Sequence, residues 1–159
     1  MIFIYDLDHT VIDSSHRQLT REDGSLDLDA WRENCTREKI MADKLLPIAH
    51  QWRLHYKRGA TIIVCTARVM SQHDLDFLAI HELPYHAMLS RPDGNDSPDA
   101  WLKVALLANY AKMRGVSWAR FCRSAAMFDD NKGVLKSLSK RGLRCYNAVT
   151  FNEALAKRA

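Results

Sequence analysis

The sequence has few cysteines, and nothing in their arrangement indicates a metal site or a disulfide framework. Four cysteines occur among 159 residues, they are widely separated, and none belongs to a Cys-x-x-Cys pair. We therefore expect neither bound zinc nor structural disulfides, but four reduced thiols in a cytoplasmic protein. These residues are Cys35, Cys65, Cys122 and Cys145.

Long apolar runs, repeats and linkers are also missing. No run approaches the about 20 residues that cross a bilayer, and no basic leader precedes the first apolar segment, so we expect neither a membrane span nor a signal peptide. Internal repeats, low-complexity tracts and linkers rich in glycine or serine are absent. The composition, 47% hydrophobic and 26% charged, is that of one globular domain spanning residues 1–159.

The charge balance is mildly basic but uneven. The formal net charge is +4, with acids concentrated in residues 23–29 and near the apolar runs described below. Two basic stretches, residues 112–123 and 136–144, have two interpretations. Either they are solvated helix faces, or they attract a polyanion in a salt-dependent manner.

Three short apolar runs each stop at a polar residue. Residues 2–5 stop at Asp6, 60–65 at Thr66 and 124–128 at Asp129, as expected of buried parallel strands. Helices are predicted between them, so we expect an α/β fold with a Rossmann-like doubly wound parallel sheet. Ligands of such sheets bind beyond the carboxyl ends of the strands. Helices are predicted at 45–56, 71–83, 97–113 and 131–141, and weaker strands at 85–89 and 143–146.

Residues 14–44 interrupt this alternation. The segment is polar and too long for a strand-to-helix turn. A helical piece over 29–41 and the presence of Trp31 predict a small flap or cap over the strand ends. A disordered surface insertion is the alternative.

Asp6 and Asp8 are the first pair with chemical significance. Side chains at i and i+2 of an extended backbone point to the same side, so both carboxylates can face one substrate. One can act as a nucleophile on phosphorus, and the other can protonate the leaving oxygen and later activate water. Mg²⁺ suits such a site because it binds few protein carboxylates and keeps positions for water and phosphate. For this pair taken alone, a Ca²⁺ site or a structural role is an equal alternative.

A second acidic pair, Asp129 and Asp130, follows a buried strand. Adjacent buried acids are costly without a compensating cation, so we expect a Mg²⁺ shared with Asp6. Thr66, in a helix-entry turn, is expected to bind phosphate. Lys103 is expected to neutralise the phosphoryl oxygens, although a helical lysine is more often a solvated surface residue.

These residues resemble the four motifs of the haloacid dehalogenase superfamily. The motifs are Asp6-Leu7-Asp8-His9-Thr10, Thr66-Ala67-Arg68, Lys103 and Phe128-Asp129-Asp130-Asn131. The resemblance implies that Asp6 is the nucleophile and Asp8 the general acid/base. It also implies that Thr66 and Lys103 bind the phosphoryl group. Asp6, the backbone carbonyl of Asp8, Asp129 and Asp130 would hold Mg²⁺.

Residues 90–103 and 142–146 are similar to the phosphatase domain of bacteriophage-type polynucleotide kinase–phosphatases, which removes 3′-phosphates from nucleic acid ends and nucleotides. Two departures stand out. His9 replaces a common glycine, and the Walker-type loop of the kinase half is absent. Thr10, Arg68 and Arg91 are predicted to bind substrate, and for Arg68 the alternative is to support another residue of the site. For Arg91 a structural pair with a nearby aspartate is an equal alternative.

The expected activity is therefore that of a Mg²⁺-dependent phosphomonoesterase with an aspartyl-phosphate intermediate. The expected substrate is a phosphorylated nucleotide or nucleic-acid end, such as a polynucleotide 3′-phosphate, and no obligate protein partner is expected. One alternative is a small-metabolite or mononucleotide phosphatase. Another is a non-catalytic module that binds nucleic acid through the basic face. His16 and Trp31 of the flap are candidates to contact a base, although core packing is the simpler interpretation of Trp31.

Overall fold

A computed structural model describes residues 1–159 as a central sheet with helices on both faces. The strands are β1 (Ile2–Tyr5), β2 (Ile12–Asp13), β3 (Lys44–Leu45), β4 (Thr61–Thr66), β5 (Ala87–Ser90), β6 (Ala125–Asp129) and β7 (Arg144–Asn147). The helices are α1 (Leu28–Glu33), α2 (Arg37–Met41), α3 (Ile48–Lys57), α4 (Gln72–Ile80), α5 (Asp99–Met113), α6 (Trp118–Ser124), α7 (Lys132–Lys140) and α8 (Ala148–Ala156). None of these helices is long and apolar enough to cross a membrane.

The main sheet is doubly wound, as predicted. Its strand order is β5-β4-β1-β6-β7, and every pairing is parallel. The chain runs from β1 to β4 and β5 on one side, then returns to β6 and β7 on the other. The connections leaving β1 and β6 therefore diverge, which opens a crevice at the carboxyl ends of these two strands.

Two apolar layers enclose the sheet. Along β1, Tyr5 joins the cluster beneath α3, α4 and α8, whereas Ile4 joins the cluster beneath α5, α6 and α7. The alternation follows from the two-residue period of a strand. Because both faces of the sheet are covered, the central strands read as continuous apolar runs.

Several predicted boundaries differ from the structure. The helix predicted over 45–56 begins at Ile48, because Lys44 and Leu45 pair with β2 as a short antiparallel ribbon. The single helix predicted over 29–41 is two helices, α1 and α2. Thr36 lies between them and caps α2 by accepting the backbone N–H of Lys39.

The helices α6 and α8 were not predicted. Each begins after a capping residue: Ser117 accepts the N–H of Arg120, and Asn147 accepts the N–H groups of Val149 and Thr150. The α6 helix has only seven residues. A helix this short gives a weak periodic signal, and this one falls within a stretch that was notable only for its charge.

Residues 14–44 contribute no strand to the main sheet. They form a 3₁₀ turn (Ser15–Arg17), an isolated bridge between Thr20 and Leu26, and the helices α1 and α2. The α2 helix packs against α4. The segment is therefore an ordered insertion between β1 and α3, unlike the disordered insertion that the sequence left as an alternative.

Asn152 of α8 connects three parts of the fold. Its Nδ2 donates to the carbonyl of Thr10 at 2.9 Å, and its Oδ1 accepts the N–H of Ile48 at 2.8 Å. The side chain therefore fixes the turn after Asp6 against the start of α3. All of these groups are buried, so none of them can bind water instead.

We expect Asn152→Ala to lower the free energy of unfolding by about 2 kcal/mol or more, because it leaves a buried N–H and a buried carbonyl unpaired. Urea denaturation would measure the loss. Asn109→Ala is the matched control, since Asn109 is exposed on α5 and donates only to Met113 Sδ. Equal stabilities of the two variants would contradict this role.

Candidate active site

Three carboxylates meet in the crevice between β1 and β6. Asp6 follows β1, Asp129 ends β6, and Asp130 follows directly. One oxygen from each lies within 4.8 Å of the others. Asp6 and Asp129 are 5% and 0% exposed. The structure thus brings these three residues together as the strand-end argument predicts.

Lys103 is the cation of this cluster. Its Nζ lies 2.8 Å from Asp6 Oδ1 and 2.7 Å from Asp129 Oδ2. The side chain is buried, so the alternative of a solvated surface lysine is wrong. Burial alone would lower the pKa of Lys103, but the two carboxylates outweigh it and hold the pKa above its ordinary value.

The cluster carries excess negative charge. Burial and the negative charge of Asp6 raise the pKa of Asp129 to about 7 and that of Asp130 to about 6. Only one ammonium group, that of Lys103, is present to neutralise the three carboxylates. An all-oxygen set of this kind fits a hard divalent cation such as Mg²⁺, whose charge would complete the neutralisation.

Asp8 is not a member of this three-acid cluster and pairs with Arg68. Its two oxygens accept from Nε and Nη2 of Arg68, each at 2.7 Å, and Oδ1 also accepts from Ser14 Oγ at 2.6 Å. Burial tends to raise the pKa of Asp8, but the charge and hydrogen bonds of Arg68 outweigh it and hold the pKa at about 2. In this arrangement Asp8 is ionised and accepts hydrogen bonds.

Arg68 is enclosed by acids. Its remaining nitrogen, Nη1, donates to Asp74 Oδ1 at 2.8 Å, and Nη2 also lies 3.6 Å from Asp43 Oδ2. Only 4% of the side chain is exposed. In this structure Arg68 therefore orients Asp8, and its predicted substrate contact stays a prediction.

Thr10 and Arg91, the other two predicted substrate contacts, have protein partners in this structure. Thr10 is completely buried, and its Oγ1 lies 3.4 Å from Asp6 Oδ2, where it contacts the proposed nucleophile. Arg91 donates to the carbonyls of Ala67, Asn95 and Ser97 and to Asp99 Oδ1 at 2.8 Å. Because each of its nitrogens has a protein acceptor, Arg91 ties the loop before α5 to the turn after Thr66.

Thr66 ends β4 beside β1, and its Oγ1 accepts the N–H of Arg68 at 3.1 Å. The predicted helix-entry turn is different here. The α4 helix begins only at Gln72, with Ser71 as its cap in a capping box with Asp74. Thr66 therefore lies on the loop side of the α4 N-cap, separated from Ser71 by residues 67–70.

His9 adopts the backbone conformation that its position requires. Its φ of 59° lies in the left-handed region that glycine enters most easily, and histidine is among the side chains that tolerate this region better than most. Its Nε2 lies 2.9 Å from Gln18 Oε1, and Gln18 in turn donates to Ser14 Oγ. Replacing the common glycine thus keeps a left-handed turn and adds a contact with the insertion.

A buried ion pair from the insertion was not predicted. Arg17 donates from Nε and Nη2 to the two oxygens of Asp43, each at 2.9 Å, and both side chains are fully buried. The ring of Trp31 lies 4.2 Å from the Arg17 guanidinium, so Trp31 covers this pair and is not packed in the main core. His16 Nε2 lies 2.7 Å from Asp43 Oδ1. No sequence signal links residues so far apart in the chain.

Solved structures share this fold. A haloacid dehalogenase-like hydrolase from Streptococcus pneumoniae superimposes with a TM-score of 0.67 at 11% identity, covering 99% of this chain and 98% of the other. A chain of the Pnkp1/Rnl/Hen1 RNA repair complex has a TM-score of 0.58 at 17% identity over 92% of this chain, which spans 41% of that longer chain. These likenesses show that the chain has the fold of haloacid dehalogenase-like hydrolases.

Sequence comparison identifies the family within this class. The sequence model described as "Bacteriophage T5 5′-deoxynucleotidase" matches residues 1–92, and the chain belongs to that family. The 5′-deoxynucleotidase of Escherichia phage T5 is 27% identical over 175 residues, which cover 98% of this chain and 70% of that protein. The region that the family model matches, residues 1–92, includes Asp6, Asp8 and Thr66. Lys103 and the second acidic pair lie beyond that region.

We expect Arg68→Gln to lower the free energy of unfolding at pH 7 by about 3 kcal/mol or more, because Asp8, Asp43 and Asp74 lose a shared counter-charge. In the unmodified protein, the depressed pKa of Asp8 stabilises the fold above pH ~4, and this contribution disappears as the pH falls towards 2. In the variant, protonation of the uncompensated acids relieves their repulsion at low pH. The stability difference should therefore shrink on acidification.

Urea denaturation of both proteins at about pH 7 and about pH 2.5 tests this expectation, since these values lie on either side of the ordinary aspartate pKa of about 3.9. Arg37→Gln is the control, because it removes an exposed pair with Asp76 and should cost about 1 kcal/mol or less. A pH-independent loss in Arg68→Gln would show that packing, not charge, explains its effect.

Proposed function

We propose that the protein is a Mg²⁺-dependent nucleotidase that removes the 5′-phosphate of a deoxynucleoside monophosphate through an aspartyl-phosphate on Asp6. The observation that carries the chemistry is the buried cluster of Asp6, Asp129, Asp130 and Lys103. Family membership supports the substrate class. A 5′-mononucleotide therefore takes precedence over the polynucleotide 3′-phosphate favoured by the motifs alone.

In the first half-reaction, a carboxylate oxygen of Asp6 forms a bond to phosphorus as the bond to the nucleoside oxygen breaks. Lys103 lies 2.8 Å from Asp6 Oδ1, so it is placed to balance charge on both the nucleophile and the phosphoryl oxygens. The Thr66 hydroxyl would donate to another of these oxygens. Mg²⁺, held by Asp6, Asp129 and Asp130 with the Asp8 carbonyl, would supply further electrostatic neutralisation.

Asp8 serves both half-reactions in this proposal. In the second, the ionised carboxylate accepts a proton from the water that attacks the aspartyl-phosphate, and its bonds to Arg68 and Ser14 already orient it as an acceptor. In the first, Asp8 must be protonated to donate to the leaving oxygen. The negative charge of the bound phosphate favours that protonation, because like charges raise a carboxyl pKa.

We also propose that residues 14–44 act as a small cap on a single catalytic domain of residues 1–159. Ser14 donates to Asp8, and Arg17, Trp31 and Asp43 form the ion pair and its cover beside Arg68. The insertion thus borders the side of the crevice where the leaving nucleoside would lie. His16, whose side chain is 40% exposed, is its candidate base contact.

We expect Asp6→Asn to reduce turnover by roughly 10⁴-fold or more, because an amide cannot form the covalent intermediate. The measurement is phosphate release, with Mg²⁺ and with a chelator, from 5′- and 3′-deoxymononucleotides and from 3′- and 5′-phosphorylated oligonucleotides. The near-isosteric change should keep the circular dichroism spectrum. Near-normal turnover of the variant would refute the aspartyl-phosphate.

The same panel decides the substrate. Release confined to 5′-deoxymononucleotides supports the proposal. Preference for the 3′-phosphorylated oligonucleotide would instead support the end-processing activity suggested by the similarity of residues 90–103 to polynucleotide phosphatases.

Lys103→Ala should lower kcat/KM on the order of 10²-fold or more, because the lost ammonium group stabilises charge in the transition state. Lys112→Ala is a matched control on the same helix, since Lys112 is exposed and forms no ion pair. Equal rates for the two variants would exclude Lys103 from the reaction. Steady-state kinetics at saturating Mg²⁺ would separate this effect from weakened metal binding.

A further inference from the structure

The two basic stretches that the phosphatase site does not use come together in the fold. Residues 112–123 end in α6, and residues 136–144 span the end of α7 and the start of β7. A groove of about 550 Å³ lies between them. Its lining includes Trp118, Arg123, Arg141 and Arg144.

This groove lies at the end of the sheet opposite the active site. The α6 helix ends just before β6 begins, and Arg144 is the first residue of β7. Arg144 pairs in register with Ala126 near the start of β6, whereas Asp129 ends that strand. Because the strands are parallel, the groove is at their amino ends and the acidic crevice at their carboxyl ends.

The groove is strongly and openly cationic. Residues 112–144 contain nine basic and two acidic residues, and the two acids, Asp129 and Asp130, belong to the active site. The three groove arginines are exposed, and no carboxylate pairs with any of them. Like charges held this close repel one another, so the groove is suited to an anion with several charged groups.

Only one of the three groove arginines has a partner within the protein, at the end of a helix. Arg141 donates from Nη1 to the carbonyl and hydroxyl oxygens of Ser137, as basic residues in the last turn of a helix often do. Arg123 and Arg144 make no side-chain hydrogen bond within the protein. Their guanidinium groups are therefore free for an external partner.

We propose that this groove binds the sugar-phosphate backbone of a nucleic-acid strand. Phosphates spaced along a strand match several separate guanidinium groups, and arginine binds phosphate through two parallel hydrogen bonds. Contacts of this type are independent of sequence and sensitive to salt. The site is distinct from the catalytic crevice and would hold the enzyme on nucleic acid while that crevice processes mononucleotides.

The experiment is fluorescence anisotropy with a labelled single-stranded DNA of about 20 nucleotides that carries no terminal phosphate, in the presence of a chelator. We expect binding whose log Kd rises with log salt concentration with a slope of about 2, as for three phosphate contacts. Arg123→Gln/Arg144→Gln should weaken binding at least tenfold and reduce that slope. Phosphate release from a mononucleotide should stay within about twofold of the unmodified rate, because the groove is remote from the active site.

Lys57→Gln/Arg58→Gln is the matched control. These residues are exposed at the end of α3, on the other face of the sheet, and they make no side-chain hydrogen bond or ion pair. Both double variants remove two positive charges, so equal weakening would reduce the effect to net charge and overturn the proposal. Absence of salt-dependent binding would overturn it too.

Anionic phospholipid vesicles provide the last comparison. If Arg123→Gln/Arg144→Gln loses binding to vesicles of phosphatidylserine and phosphatidylcholine but keeps its affinity for DNA, the groove is a membrane-surface site and the proposal is wrong. Catalytic activity is measured separately throughout, so failure of the groove proposal and failure of the nucleotidase proposal are distinguishable.

Discussion

The contact of one buried ammonium group with two buried carboxylates sets the conditions for the rest of the site. Lys103 lies between Asp6 and Asp129, which follow neighbouring strands, and it reaches them from a helix on one face of the sheet. This contact requires β1, β6 and α5 to meet at one point. It also leaves the three-acid cluster with excess negative charge, so the same geometry that binds Lys103 favours a divalent cation. The proposed metal binding and the proposed phosphoryl transfer would thus have a common electrostatic origin.

A second buried network connects the insertion with the chemistry. Arg68 contacts Asp8, Asp43 and Asp74, and Asp43 is also bound by Arg17 from the insertion. The orientation of Asp8 therefore depends on residues 14–44 as well as on the sheet. A buried arginine with three acidic neighbours is well suited to holding Asp8, the proposed general base, in one orientation. The insertion accordingly supports the active site from the side.

Negative and positive side chains are separated along the direction of the strands. Acidic side chains collect at the carboxyl ends, and unpaired arginines collect at the amino ends of β6 and β7. A net charge of +4 conceals this separation, since the two regions nearly cancel. Two surfaces of opposite charge would allow one small domain to hold the proposed metal ion and substrate at one end and a polyanion at the other.

The sequence by itself determined the doubly wound sheet, the strand ends and the residues of the acidic cluster, because apolar runs that stop at polar residues are local signals and parallel strands align their carboxyl ends. Only the tertiary structure decided what those residues contact. It buried Lys103, gave Arg68 and Arg91 protein acceptors, paired Arg17 with Asp43, and joined two separate basic stretches into one groove. The physical reason is that side-chain pairing depends on distances between segments far apart in the chain, which no local pattern of residues encodes.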